Sequence, residues 1–243
     1  MFDHVTIRVS DMDVSLPFYE LAMGTLGFGE PATDGHFFEW EDFSISPARD
    51  DRPVARNLHA AFVASSREAV DGWWRTMTSA GHRDDGEPGP RPQYSADYYG
   101  GFVLDPDGNS VEAVHQGRTR KGDNRIDHLW IRVADLEASK RFYETIGRFG
   151  GFVLGGAWPQ AWHFRGPDRH FTVVHDERPR TENLHIAFPA DRNATVDEFH
   201  RAAVAAGYRD NGGPGERGYH PGYYGAFVLD PDGNNVEVVC HNR

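Results

Sequence analysis

One seventeen-residue block occurs twice in this chain. Residues 98–114 read Tyr98-Tyr99-Gly100-Gly101-Phe102-Val103-Leu104-Asp105-Pro106-Asp107-Gly108-Asn109-Ser110-Val111-Glu112-Ala113-Val114, and residues 223–239 repeat them with three changes, Gly101 to Ala226, Ser110 to Asn235 and Ala113 to Val238. A repeat this close makes the chain a duplication. The block itself reads as a hairpin. Aspartate at the first turn position bonds the backbone ahead of it, proline presets the next backbone angle, and glycine accepts a positive φ as the chain leaves. In the strand that follows, alternation sends Val111 and Ala113 to one face and Ser110, Glu112 and Val114 to the other, with Glu112 expected to point away from the buried side. Val236 and Val238 oppose Asn235, Glu237 and Val239 in the same way. An unpaired carboxylate in so apolar a strand is costly to bury, so either a cationic side chain or a metal is expected beside it.

The repeat divides the 243 residues into two halves, each large enough for its own core. We place them at residues 1–118 and 125–243, joined by the polar linker 119–124, Thr119-Arg120-Lys121-Gly122-Asp123-Asn124. The formal net charge of -12 argues against a nucleic-acid or anionic-membrane partner, either of which needs a basic face. A small-molecule partner fits better. Cys240 is the only cysteine, which excludes an intrachain disulfide scaffold, and with no long apolar run and no signal-like start the expected location is the cytoplasm.

Along the first half, residues 4–9 alternate as a half-buried strand with His4, Thr6 and Arg8 on its polar side. A helix follows, with Val14, Phe18 and Leu21 at near-helical spacing and an irregular first turn around Pro17. The aromatic run at residues 37–45 gives two short strands, and residues 58–63 another. Ser65 and Glu68 have capping-box spacing ahead of a helix whose Val70, Trp73, Trp74 and Met77 form an apolar stripe, stopped by Gly81. Residues 84–97 read as a loop leading into the hairpin. Each half is therefore strand, helix and three strands, taken twice. In the second half strands are expected around residues 128–133, 171–174 and 184–188, and a helix carrying Val196, Phe199 and Ala203 before Gly207.

Three polar strand residues recur at matching places: His4, His59 and Glu112, then His128, His185 and Glu237, at offsets of 124, 126 and 125. Two imidazoles and a carboxylate are the ligand set of a facial triad, which leaves coordination positions open for an oxygen ligand. Histidine supplies a neutral donor and glutamate offsets the cation's charge. A lone strand histidine is ordinarily structural, and His36, His82, His115, His163, His170, His175 and His200 are read so. The triad stands apart because three residue types coincide twice.

At these residues the chain resembles the vicinal oxygen chelate superfamily of glyoxalase I, bleomycin-resistance proteins, fosfomycin-resistance enzymes and extradiol dioxygenases. The resemblance rests on Asp3-His4-Val5 and Asp127-His128-Leu129, on Phe18-Tyr19-Glu20 and Phe142-Tyr143-Glu144, and on the Asp-Pro-Asp-Gly-Asn turns before Glu112 and Glu237. It implies an α+β fold of two tandem domains, each a pair of βαβββ modules forming a curved mixed-sheet cup with helices outside. It also implies a divalent metal (Fe, Mn, Zn, Ni or Co) on His4, His59 and Glu112 and on His128, His185 and Glu237. If modules are exchanged between halves, the sets become His4 with His185 and Glu237, and His128 with His59 and Glu112.

Two departures bear on the subfamily. Glyoxalase I adds a fourth ligand where this chain has Ser44-Ile45-Ser46 and Thr172-Val173-Val174. The extradiol signature is met at His220 and at Asp230-Pro231-Asp232-Gly233 through Glu237, but Phe227 and Ala226 depart from it, and Ser95 stands in the first half where His220 stands in the second. His220 is the candidate acid-base residue. Tyr98, Tyr99, Tyr223 and Tyr224 either line the cup or pack the hairpins, and packing is the expectation. The resemblance thus implies a metal-dependent enzyme, dioxygenase-like or glyoxalase-like, acting on a small substrate through vicinal oxygens, as a monomer or homodimer. The rival expectation is a bleomycin-resistance-like protein that sequesters an aromatic ligand without catalysis.

Overall fold

The computed structural model describes residues 1–117, 125–167 and 169–242; the segment 119–124, read above as the linker, lies outside the described residues. Four modules of one strand, one helix and three strands follow one another. The first holds β1 (His4–Val9), α1 (Met12–Thr25), β2 (Ala32–Thr33), β3 (Phe38–Trp40) and β4 (Phe43–Pro47), and the second β5 (His59–Val63), α2 (Arg67–Ser79), β6 (Asp84–Pro90), β7 (Tyr99–Leu104) and β8 (Ser110–His115). The third holds β9 (Ile126–Arg132), α3 (Leu136–Gly150), β10 (Val153–Trp158), β11 (Ala161–Arg165) and β12 (His170–Val174). The fourth holds β13 (His185–Pro189), α4 (Asn193–Ala205), β14 (Arg209–Glu216), β15 (Tyr224–Leu229) and β16 (Asn235–Cys240).

The strands form two eight-stranded sheets, ordered β14-β15-β16-β13-β1-β4-β3-β2 and β10-β11-β12-β9-β5-β8-β7-β6. Both are mixed, because β5 runs parallel to β8 and β13 to β16 while the hairpin neighbours are antiparallel. The first module therefore shares a sheet with the fourth, and the second with the third. The chain divides into two compact units, Ile7–Leu129 and Met1–Thr6 with Trp130 onward, so the division falls inside β1 and β9. Among the described residues no helix is long and apolar enough to cross a membrane.

In the unit Ile7–Leu129, Phe18, Tyr19, Phe43, Phe62, Trp73 and Met77 are fully buried, and Trp73 Nε1 donates to the Ala22 carbonyl at 3.1 Å, tying α2 to α1. In the other unit Phe152, Phe164 and Phe171 gather around Tyr143, with Phe164 and Phe171 stacked at 5.1 Å and Phe188 against Phe152 and Phe171. Val196, Phe199 and Ala203 are the buried residues of α4, as their helical spacing requires.

Local differences from the sequence reading have physical causes. The cap of α2 is Ser66, whose hydroxyl accepts from Ala69 N at 3.1 Å; Ser65 lies one residue outside it. Trp74 leaves the apolar stripe, because its indole N–H reaches Asp84 Oδ1 at 2.9 Å and its ring lies on the flank of the helix. Residues 84–90, read as loop, form the edge strand β6, and β14 is its counterpart. Their glycines and prolines hide any alternation, and an outermost strand tolerates them since one side of its ladder is unpaired. Register shifts at Asp84/Gly86 and Gly86/Gly89 mark bulges in it. Helix α1 runs on through Pro17, and its cap Asp11 accepts from Asp13, two residues ahead, where Asp135 of α3 accepts from Ala138, three ahead.

The repeated turn is held from several sides. Asp105 Oδ1 accepts from the backbone of Asp107 (2.9 Å) and Asn109 (2.7 Å), and Oδ2 from the Asn109 amide (2.9 Å) and the Tyr19 hydroxyl (2.8 Å). The Asn109 side chain in turn bonds Leu58 N and the Ala55 carbonyl, each at 3.1 Å, ahead of β5. Gly108 and Gly233 close the turns at φ 88° and 90°. The motif containing Tyr19 and the aspartate turn are thus one structural device, which sets where β8 begins. Asp230 does the same for β16, accepting from Asn234 and Asp232, with the Tyr143 hydroxyl at 3.4 Å.

Burial pushes Asp230 up from 3.8 to about 6, against the hydrogen bonds from Asn234. A folded-state pKa above the unfolded value means the folded form holds the proton longer. Its contribution to stability is therefore full below about pH 4 and lost as the pH rises through about 6, a change of about 3 kcal/mol. Urea unfolding across that window should show the wild type losing about that much more than Asp230→Asn; parallel profiles would contradict the assignment.

Candidate metal centre

The register of three strands builds each site. His4 and Glu237 both lie opposite Ala187, on β1 and β16 respectively, and His185 lies two residues before Ala187 on the same face of β13. Glu112 on β8 lies opposite Ala61, with His59 two residues earlier on β5, and His128 comes from β9. The small alanine in the middle of each row leaves the space that the imidazoles occupy. The structure therefore brings together His4, His185 and Glu237 inside one unit, and His59, Glu112 and His128 inside the other. These are the exchanged sets; the sets drawn from one sequence half are not the ones that converge.

In the first set His4 Nε2 lies 3.0 Å from His185 Nε2, His185 Nε2 lies 3.2 Å from Glu237 Oε2, and His4 Nε2 lies 3.6 Å from the same oxygen. In the second set Glu112 Oε2 lies 3.0 Å from His59 Nε2 and 3.6 Å from His128 Nε2. Two ligands about 2.1 Å from one ion and at right angles stand roughly 3.0 Å apart. Nitrogen and oxygen donors at these separations fit a small divalent cation.

The partners behind the ligands decide which atoms face inward. His4 Nδ1 donates to Asp3 Oδ1 at 2.8 Å and His128 Nδ1 to Asp127 Oδ1 at 2.9 Å, which leaves each Nε2 lone pair directed at the site. Asp3 is pushed up by burial, but the hydrogen bond and charge of His4, with His241 beyond, bring its carboxyl below the ordinary range. The opposite face of β8 is the helix-packed one. A side chain at Gly101, paired with Ala113, would meet Val70 of α2.

Glu112 and Glu237 are 0% and 1% exposed, so the face expected to point away from the interior is itself covered. Each carboxylate divides its two oxygens. Tyr98 donates its hydroxyl to Glu112 Oε1 and Tyr223 to Glu237 Oε1, each at 2.7 Å, while Oε2 faces the imidazoles. Burial first, and then the adjacent carboxylate, push both phenols far up, so they remain neutral donors. These tyrosines do more than pack the hairpin. Tyr98 lies against Ala61 and Val114, Tyr223 against Ala187 and Val239, and each also orients the carboxylate. Tyr99 and Tyr224 instead reach Asp71 and Asp197 at 2.8 Å. The signal was present in the sequence, since Gly100 and Gly225 follow each tyrosine pair and a Cβ on either would overlap the glutamate's Oε1.

His220 lies beside the His4 set. Its Nε2 is 2.8 Å from His241 Nδ1, and His241 Nε2 is 2.8 Å from Asp3 Oδ2. In the other copy Gln116 Nε2 bonds Asp127 Oδ1 at 3.0 Å, and Ser95 takes the place of His220. The sequence reading passed over His241, because a histidine in a C-terminal tail carries no pattern.

The chain matches the Glyoxalase/Bleomycin resistance protein/Dioxygenase superfamily over residues 1–113 and 125–238. It is 29% identical over 129 residues to the uncharacterized protein YqjT of Bacillus subtilis, covering 47% of this chain and 98% of that protein. Over 181 residues it is 29% identical to lactoylglutathione lyase of Schizosaccharomyces pombe, covering 60% of this chain and 58% of the relative. The fold is shared with glyoxalase I of Zea mays, at TM-score 0.69 and 20% identity over 99% of this chain and 92% of that one.

Removing the Tyr98 hydroxyl leaves a buried carboxylate short of one donor. Tyr98→Phe should cost about 1.5–3 kcal/mol in denaturant unfolding, and an unchanged midpoint would show that Glu112 is held otherwise.

Proposed function

Because the chain belongs to the glyoxalase/bleomycin resistance protein/dioxygenase superfamily, we propose that it is a metal-dependent enzyme that binds a small substrate through two adjacent oxygens. The single observation that supports this most is the convergence of two imidazoles and a carboxylate, twice, at separations suited to one cation. The two family matches support reading residues 1–118 and 125–243 as two superfamily domains.

His4, His185 and Glu237 would hold one ion, and His59, Glu112 and His128 the other. When bound, such an ion supplies Lewis acidity toward oxygen atoms on a substrate. The protein's own residues do the rest. Asp3 and Asp127 fix the imidazole tautomers, and Tyr98 and Tyr223 keep each carboxylate turned to offer Oε2. Burial of the two glutamates keeps bulk water from them. His220 would exchange a proton at Nε2 with His241, and through it with Asp3, giving the His4 set a path that the other set lacks.

Likeness to lactoylglutathione lyase supports lyase-type proton transfer on a substrate with neighbouring oxygens. The three-ligand set, without a fourth carboxylate at Ser44-Ile45-Ser46 or Thr172-Val173-Val174, supports dioxygenase-like ring opening. Turnover of a dicarbonyl thiol adduct without oxygen, or oxygen uptake with a catechol, separates the two.

Metal analysis of protein purified without chelator tests the shared premise. Two ions per chain are expected, with one lost in His59→Ala and one in His185→Ala. Metal-free wild-type protein, or unchanged occupancy in both variants, would overturn the proposal. His220→Ala should keep its metal and change the pH dependence of turnover at the His4 set, read in a His59→Ala background.

A further inference from the structure

The two triads have the same ligand types but different partners behind one histidine. His59 Nδ1 lies 3.0 Å from Ser110 Oγ, and the Ser110 hydroxyl donates to Asp85 Oδ2 at 2.7 Å. A serine has one proton and a carboxylate only accepts. The hydroxyl proton is committed to Asp85, so Ser110 must receive the His59 Nδ1 proton. With one proton held on Nδ1, any proton that His59 shares from Nε2 with Glu112 Oε2 across 3.0 Å is the one a cation would displace.

At the equivalent place in the other triad, His185 Nδ1 lies 2.7 Å from Asn235 Nδ2, and Asn235 Oδ1 accepts from Asn211 Nδ2 at 2.9 Å. With an amide nitrogen donating to Nδ1, the His185 proton sits on Nε2. There it is donated across 3.0 Å to His4 Nε2, whose own proton is held at Nδ1 by Asp3. Both triads thus have cation-facing atoms in contact with one another, His185 Nε2 with His4 Nε2 and His59 Nε2 with Glu112 Oε2, and the difference lies in the group behind each Nδ1. An amide presents a donor and an acceptor in nearly the same shape, so the Asn211 and Asn235 pair serves either tautomer and imposes neither. Burial differs in the same sense: His59, Glu112 and His128 are all buried, whereas His4 and His185 are partly exposed.

We propose that Ser110 and Asp85 are positioning residues that make the His59, Glu112 and His128 triad the tight metal site, while the His4, His185 and Glu237 triad, whose His185 is backed by amides that hold neither tautomer, binds the same ion more weakly. This deepens the metal-dependent reading and rests on it. Partners of this kind change metal affinity by about 10–100-fold, which is the expected separation.

Chelator-stripped protein would be titrated with Co2+, read by visible absorption, and with Zn2+ against a competing chelator. Two affinity classes are expected, the tight one lost in His59→Ala and the weak one in His185→Ala. Asp85→Asn with Ser110→Asn should weaken the tight class by roughly 10–100-fold and bring its cobalt spectrum toward that of the weak class, whereas Ser110→Thr should retain tight binding. The reciprocal Asn235→Ser with Asn211→Asp should tighten the weak class, so a folding defect in the first pair does not shield the proposal. Two equal classes in the wild type, a tight class that survives in His59→Ala, or exchanged pairs that shift neither class would overturn this inference and leave the metal-dependent reading intact. No binding at either triad would overturn both.

Discussion

A glutamate buried in the middle of an apolar strand is the constraint on which each site depends. Burying a carboxylate alone is prohibitive, and the surroundings of Glu112 and Glu237 answer that cost in parts. A tyrosine hydroxyl takes one oxygen, imidazoles approach the other, and a glycine on the neighbouring strand makes the room. The same arrangement that makes the charge tolerable also turns one oxygen toward two nitrogens. Stability and ligand geometry are here consequences of one set of contacts.

The glutamate's position is set some distance away, by the turn that begins its strand. Asp105 collects donors from its own turn and from Tyr19 on α1, and Asn109 bonds the backbone that enters β5. A strand that started one residue later would send its carboxylate to the opposite, helix-packed face, where Ala113 now lies buried. The aspartate turn is therefore a register device. Its second copy depends on Asp230 and Asn234 in the same way, with a longer reach to Tyr143.

Duplication has not kept the two sites alike. Ligands, tyrosines and glycines persist in both, but the groups behind them have diverged. Ser110 and Asp85 stand where Asn235 and Asn211 stand in the other copy, and Gln116 stands where His241 does. Both copies keep the same strand order despite these substitutions, since Asp85 and Asn211 lie on the edge strands β6 and β14, and Gln116 and His241 follow the last residues of β8 and β16. They alter instead which groups stand behind the ligands.

Much of this was legible in the sequence. Alternation at residues 4–9, helical spacing of Val196, Phe199 and Ala203, and the repeated turn required the strands, the helix and the hairpins, because period and turn chemistry are local properties. Nearly equal offsets between copies singled out the two histidines and the glutamate in each half. The edge strands β6 and β14 were not legible, since an outermost strand needs no alternation, and neither was His241, whose carboxylate partner Asp3 lies at the other end of the chain. Sequence alone left two ways of grouping the six candidate ligands, because each module carries the same pattern and nothing local says which partner it hydrogen-bonds. Only the tertiary structure decided that: β1 pairs with β13 and β5 shares a sheet with β9, and backbone pairing between distant strands places His4 with His185, and His128 with His59.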